Sequence, residues 1–272
     1  MHMHYDRAMR WLIESLTWTG DALIAKLASW GRTLRFGAVA LAGIFSPGLY
    51  NNATRTVVHK QIYFTAWQIL LAFNLFAAVF SVILVQIAKT AAQKYGLGDL
   101  ALELILRILL VELLPLMTAL FVALRSGAAI NAEVALMNIT NEIQALESVG
   151  IDAMRLEFLP RIIGSVVSVL ALTALASLAA LFIAYLSLYG PQSHGLADFT
   201  RVVGQVFTPG LLLGLWLKCL LFGLAVSVIP IAAGLEAPHK LFFAPIAVLS
   251  GMVRLFFALM LIEVGSLTFT YL

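Results

Sequence analysis

Residues 162–189 read IIGSVVSVLALTALASLAALFIAYLSLY, without a single Asp, Glu, Lys or Arg. A helix rises about 1.5 Å per residue, so this run is long enough to cross a hydrocarbon layer about 30 Å thick. Its apolar residues come in unbroken runs, whereas a strand of an outer-membrane barrel alternates apolar with polar. A segment surrounded by lipid must satisfy its backbone internally, which makes the span helical. Four further long apolar runs, three of them carrying a few charged residues, occupy 62–88, 100–124, 209–232 and 244–270. The predicted fold is all-α and polytopic, with five transmembrane helices.

Composition agrees. Of 272 residues, 62% are hydrophobic and 11% charged, against roughly 45–50% and 25% in soluble domains. The mean hydropathy is +0.98. A water-soluble body of this size has too little interior to hide so much apolar side chain. A soluble enzyme, a nucleic-acid-binding module and a disulfide scaffold are excluded together. The only cysteine, Cys219, lies inside an apolar run, so neither an intrachain disulfide nor a CxxC site is possible. The histidines (His2, His4, His59, His194, His239) are scattered, and no metal site is expected.

The basic residues set the topology. Eleven Lys and Arg flank the spans on one side: Arg7, Arg10, Lys26, Arg32, Arg35, Arg55, Lys60, Arg125, Arg155, Arg161 and Lys240. Three (Lys89, Lys94, Arg201) flank the other. This asymmetry predicts a cytoplasmic N-terminus and an external C-terminus. Residues 1–35 carry acids and bases throughout and do not read as a cleaved signal peptide. Leu12, Leu16, Leu23, Leu27, Trp30 and Leu34 recur at helical spacing, with Trp11 and Trp18 suited to the headgroup zone. Residues 1–50 therefore read as an interfacial amphipathic region, and 51–272 as the membrane domain.

Charges inside the spans call for a partner or a purpose. Glu103 and Arg107 are four apart and are expected to pair. Glu112 is half a turn out of phase with Glu103 and precedes Pro115, where a kink can free a carbonyl. Lys218 lies near the middle of the fourth run and Arg254 in the fifth. A cavity open to a polar headgroup would explain Glu112, Lys218 and Arg254 together. Ala176, Ala180 and Ala184 form a small-residue stripe, and Gly210 with Gly214 a GxxxG step.

Residues 127–160 hold no apolar run. Ile139, Ile143, Leu146 and Gly150 recur at helical spacing, opposite Glu142 and Glu147, with Gly150-Ile151-Asp152 as a terminator. The acids Glu133, Glu142, Glu147, Asp152 and Glu157 outnumber the bases, which suggests a protein partner instead of anionic lipid.

Here the chain resembles a known family. Residues 124–137, LRSGAAINAEVALM, are similar to the GRAGSAxxAEIGLM signature of MlaE/YrbE permeases, the membrane subunits of ABC transporters that work with MCE proteins. Residues 140–161, TNEIQALESVGIDAMRLEFLPR, resemble the family's TEQLxALExMGxDPxRxLxxPR coupling segment. Glu112-Leu113-Leu114-Pro115 resembles RELGP, and Lys218 stands where the family carries the lysine of IKSxxF. The sequence departs at Val111, Leu114, residues 233–240 (AGLEAPHK) and Val253-Arg254.

The resemblance implies an interfacial elbow helix, five spans and a cytoplasmic coupling helix. It implies two permease copies, alike or different, around a lipid cavity in a bacterial inner membrane, with the C-terminus periplasmic. Phospholipid or a related lipid would pass between that membrane and a periplasmic MCE protein. A separate cytoplasmic ATPase would bind the ATP-Mg, joined by a small STAS-like protein. This chain has no GxxxxGK[ST] loop, so it is expected to bind no cofactor and to be no enzyme. Glu112 and Lys218 would line the lipid path. Glu133, Glu142, Glu147, Gly150, Asp152 and Arg155 would face the ATPase. Arg125, Gly127, Pro115 and Pro160 would hold the structure. Two other functions fit the residues. The order Glu147, Gly150, Leu159-Pro160 is also similar to importer permeases for other hydrophobic substrates, and a scaffold anchoring an ATPase and an MCE ring needs no cavity.

Overall fold

The computed structural model describes residues 28–46, 52–96, 98–191 and 195–271, and all regular structure among them is helical. Helix α1 covers 28–44. Helix α2 comprises Asn52–Ile62, a π turn at Tyr63–Trp67, and Gln68–Tyr95. Helix α3 runs through Gly98–Arg107, a π turn at Ile108–Leu113, Leu114–Val122, a second π turn at Ala123–Gly127, and Ala128–Ile139. Helix α4 is Glu142–Ser148. Helix α5 joins a π turn at Met154–Phe158 to Leu159–Tyr189. Then follow α6 (Leu196–Val206), α7 (Pro209–Leu235) and α8 (Ala244–Tyr271).

Five helices are long and apolar enough to cross a membrane: Arg55–Tyr95, Glu103–Ile139, Met154–Tyr189, Pro209–Leu235 and Ala244–Thr270. They correspond to the five predicted spans, and the chain is an all-α polytopic membrane protein. One end of the bundle carries α4, the other α6. Of the predicted amphipathic region, residues 1–27 and 47–50 lie outside the described residues. Its remainder is a single helix, α1, whose Phe36 ring meets Phe158 edge-on at 6.0 Å. Gly43 faces Leu159 and Gly37 faces Val228, so α1 lies across the starts of α5 and the last turns of α7, at the α4 end.

Two differences from the sequence expectation have physical causes. The second span does not stop at Leu124; α3 continues to Ile139, which at about 1.5 Å per residue exceeds the hydrocarbon thickness. The polar residues that suggested an external segment are used inside the bundle. Asn131 is buried and donates to the Val248 carbonyl at 3.4 Å. Asn138 donates to the carbonyls of Leu235 and Ala237, both at 3.1 Å, meeting acceptors that the end of α7 leaves open. The helix expected from Ile139 to Gly150 is also broken, because Asn141 takes a left-handed φ of 61°. Only Glu142–Ser148 remains as α4. It ends at Gly150 (φ 79°), whose N–H meets the Glu147 carbonyl while Ile151 N–H reaches Leu146. That pair of bonds is a Schellman close, and it uses the glycine expected as a terminator.

Prolines explain two of the π turns. Pro115 and Pro160 lack the N–H that would continue the ladder, and each follows a π turn, at Ile108–Leu113 and Met154–Phe158. The helices then pack closely. Ala176, Ala180 and Ala184 are fully buried in one core with Phe73 and Ala77, so the small-residue stripe serves packing within the chain. A Cβ on Gly223 would sit 2.6 Å from the Val166 Cα, placing α5 and α7 almost backbone to backbone. Gly127 lies where α3 meets α7 and α8, near the Val226 carbonyl and Pro230. Gly210 and Gly214 have open space beside them and pack on nothing within 4 Å.

Candidate functional site

Lys218 projects from α7 into the interior, its side chain 1% exposed. Two carboxylates meet it: Glu112 on α3, in a direct ion pair, and Glu263 on α8 at 2.8 Å. The Lys218 ammonium also donates to the Val111 carbonyl at 3.2 Å. In an unbroken α-helix that carbonyl would accept from residue 115, which is proline. Pro115 removes the backbone donor, and the lysine takes its place. The π turn at Ile108–Leu113 brings both the carbonyl and Glu112 to the same spot. Three helices are thereby tied at one buried point.

The formal charges of Glu112, Lys218 and Glu263 sum to minus one in a buried setting. Glu112 Oε1 has no hydrogen-bond partner among the described residues. A buried charge group of this kind is a poor route to stability and a frequent mark of function in membrane proteins.

A cleft of about 690 Å³ opens beside it, between the α6-end halves of α7 and α8. Arg107 and Lys218 line it with Leu213, Leu217, Leu261 and Phe269. The glycines Gly210 and Gly214 contribute to its wall, where the absence of side chains leaves room. Mostly apolar walls with a few polar groups (Arg107, Lys218 held by its two carboxylates, and the hydroxyls of Thr208, Ser266 and Thr270) suit an amphiphile with a polar group and hydrocarbon chains. On the other face of α7, toward α5, lies a second pocket of about 440 Å³ lined by Leu170, Ser177, Trp216 and Cys219 among others.

Glu112 and Lys218 are thus brought together, and Glu263 completes the set. Glu263 escaped sequence reasoning although it stands in an otherwise apolar run, the same signal that singled out Glu112. Arg254 is not brought there. It lies nine residues before Glu263, about 13.5 Å along α8, and donates to Glu236 at 2.9 Å and to Ser29. Ser29 donates to Glu236 at 2.6 Å, and Arg32 reaches the same carboxylate at 2.8 Å. Burial opposes ionisation of Glu236, but the hydrogen bonds from Ser29, Arg254 and Arg32 and the Arg254 charge outweigh it. They hold the carboxyl below its ordinary value of 4.5. Two of the departures from the family pattern, at 233–240 and at Arg254, therefore meet each other and lock α1 to the hinge between α7 and α8.

The other sequence candidates lie at the α4 end. Glu142 and Glu147 are exposed on α4. Asp152 caps α5 by accepting the Met154 N–H at 2.9 Å and pairs with Arg155 at 3.2 Å. Glu133, on α3, is exposed but held by the buried Arg161 at 3.4 Å, which also binds Glu157 at 3.0 Å. Val149 is 70% exposed and Ile151 41%, so this polar end shows an apolar centre. Among the described residues no cluster of His, Cys, Asp and Glu could hold a metal.

The bundle, its buried lysine cluster and its exposed helical end define a polytopic membrane protein with a charged site inside its spans. The chain belongs to the permease MlaE family, whose profile matches residues 58–268. It is 24% identical over 200 residues to a probable ABC transporter permease protein of Rickettsia typhi, covering 73% of this chain and 75% of that one. A probable ABC transporter permease protein of Rickettsia felis is 24% identical over 216 residues, covering 79% and 82%. The chain is accordingly a permease subunit of an ABC transporter, and the ATPase is a separate partner.

Proposed function

We propose that this permease moves phospholipid or a related lipid between a bacterial inner membrane and a periplasmic MCE protein. The observation that carries the reading is Lys218, which is held by Glu112 and Glu263 at the edge of a cleft it lines with Arg107. An anionic headgroup would lie against Arg107 and Lys218, and acyl chains along the leucines of α7 and α8. The Lys and Arg asymmetry orients the chain with the α4 end cytoplasmic and the cleft mouth periplasmic. Glu142, Glu147, Gly150, Asp152 and Arg155 would then form the ATPase contact, with Glu133 and Arg161 bracing it. The assembly would include a second permease copy, alike or different, and a small STAS-like protein.

The test is transfer of a fluorescent phospholipid from vesicles carrying the reconstituted complex to an MCE acceptor. Lys218→Met and Glu112→Gln should abolish transfer while the assembly still purifies. Full transfer by both variants would sink the cavity reading and favour a scaffold. Failure of the wild type with every lipid tried, alongside transport of another hydrophobic compound, would favour the importer-like alternative.

A further inference from the structure

The two π turns not explained by proline face each other. Tyr63–Trp67 in α2 and Ala123–Gly127 in α3 each take an extra residue per turn, a feature that concentrates at functional sites. Arg125, in the second, reaches across to the first. Its Nη1 donates to the Phe64 carbonyl at 3.4 Å and its Nη2 to Gln68 Oε1 at 2.7 Å. Both acceptors are neutral, and no ion pair to Arg125 occurs among the described residues. The guanidinium is held in one place, with no counter-charge among the described residues and with N–H groups to spare.

Its surroundings show what faces it. Arg125 is on the outer surface of the bundle next to Leu124, which is 71% exposed. Tyr63, Phe64 and Trp67 are exposed beside it, Tyr63 stacking on Trp67 at 6.4 Å and meeting Phe64 edge-on at 5.7 Å. One turn back toward the start of α2, His59 and Lys60 are exposed, Lys60 sharing a face with Phe64. Beyond the aromatics, from Leu71 to Ile83, every exposed side chain of α2 is apolar. The order basic, aromatic, apolar marks the headgroup boundary of a leaflet. Arg125 lies 22 residues from Glu103, about 33 Å along α3, which puts it at the hydrocarbon edge toward α4.

We propose that Arg125, with Lys60 and the Tyr63–Phe64–Trp67 shelf, binds the phosphate of an anionic phospholipid resident in the leaflet at the α4 end. The site is separate from the Lys218 cleft and does not rest on the transport reading. A bare cation on the lipid face of a span is costly, and basic residues between transmembrane helices at this depth recognise anionic headgroups. The aromatic shelf would carry the glycerol and the first methylenes of the chains.

Native mass spectrometry of the purified full chain tests it, titrating phosphatidylglycerol and, separately, phosphatidylcholine with the same acyl chains. Wild type should prefer phosphatidylglycerol by about fivefold or more. Arg125→Gln should bring both lipids to equal affinity, and Lys60→Gln should lose part of the preference. Lys94→Gln, which removes an exposed cation at the opposite end of α2, should retain it. If Arg125→Gln does not fold, Lys60→Gln and Trp67→Ala, both at exposed positions, decide the matter by the same readout. An undiminished preference in the variants would overturn the proposal. So would inorganic phosphate competing as well as lipid, or a change of oligomeric state with unaltered lipid preference, which would make this face a seat for a second copy.

Discussion

At the scale of the residue, Lys218 is the side chain on which most depends. Its removal leaves Glu112 and Glu263 buried without a cation, and breaking a buried pair costs about 3–5 kcal/mol. Lys218→Met should therefore melt well below wild type in detergent, and adding Glu112→Gln with Glu263→Gln should recover much of the loss. Recovery would show that stranded charge, not lost packing, is the cause; no recovery would contradict the pairing. Glu236 gives a second prediction. Its carboxyl is held below 4.5 by Ser29, Arg254 and Arg32. A carboxylate with a depressed value stabilises the fold above its unfolded value and loses that effect as pH falls through the folded one. Thermal melts should thus show wild type more stable than Glu236→Gln at neutral pH, with the gap closing below pH 4.5. A gap constant down to pH 3 would mean the ion cluster is not what joins α1 to the hinge.

At the scale of the element, close approach dominates. Gly223→Ala places a methyl 2.6 Å from the Val166 Cα, and relieving such overpacking costs about 1–3 kcal/mol. The melting temperature should fall, whereas Gly214→Ala, in open space, should leave it unchanged. Equal melts for the two would refute the tight α5–α7 crossing. The five spans were legible because lipid demands long apolar runs, and the terminator at Gly150 because only a glycine takes φ 79° easily. The course of α3 past Leu124 was not legible. Asn131 and Asn138 look like surface residues until α7 and α8 supply the carbonyls they bond. Pro115 pointed to a freed carbonyl near Glu112, but nothing in the local sequence could show that Lys218, more than a hundred residues later, would fill it. Glu263 was legible in principle as a lone acid within the 244–270 run, but only the packing of α8 on α3 and α7 shows that it meets Lys218.

At the scale of the molecule, the two ends of the bundle are chemically unlike. The α6 end opens a cleft lined by Arg107 and Lys218, while the α4 end exposes Glu142, Glu147 and Asp152 around Val149 and Ile151. An apolar centre ringed by charge is the surface a protein partner uses, with charge governing recognition more than fold stability. Since α4 is short and its acids are exposed, reversing them should disturb the partner and not the bundle. Glu147→Lys combined with Arg155→Glu should release the ATPase on co-purification, or leave ATP hydrolysis running without transport. The same double variant should melt within about 0.5 kcal/mol of wild type, as surface changes do. Lys218→Met should show the opposite pattern, with the ATPase retained and the bundle weakened. If the double variant keeps a coupled ATPase, the α4 surface is not the docking site and the contact must be sought elsewhere at that end, beginning with Glu133 and the hinge at Glu236.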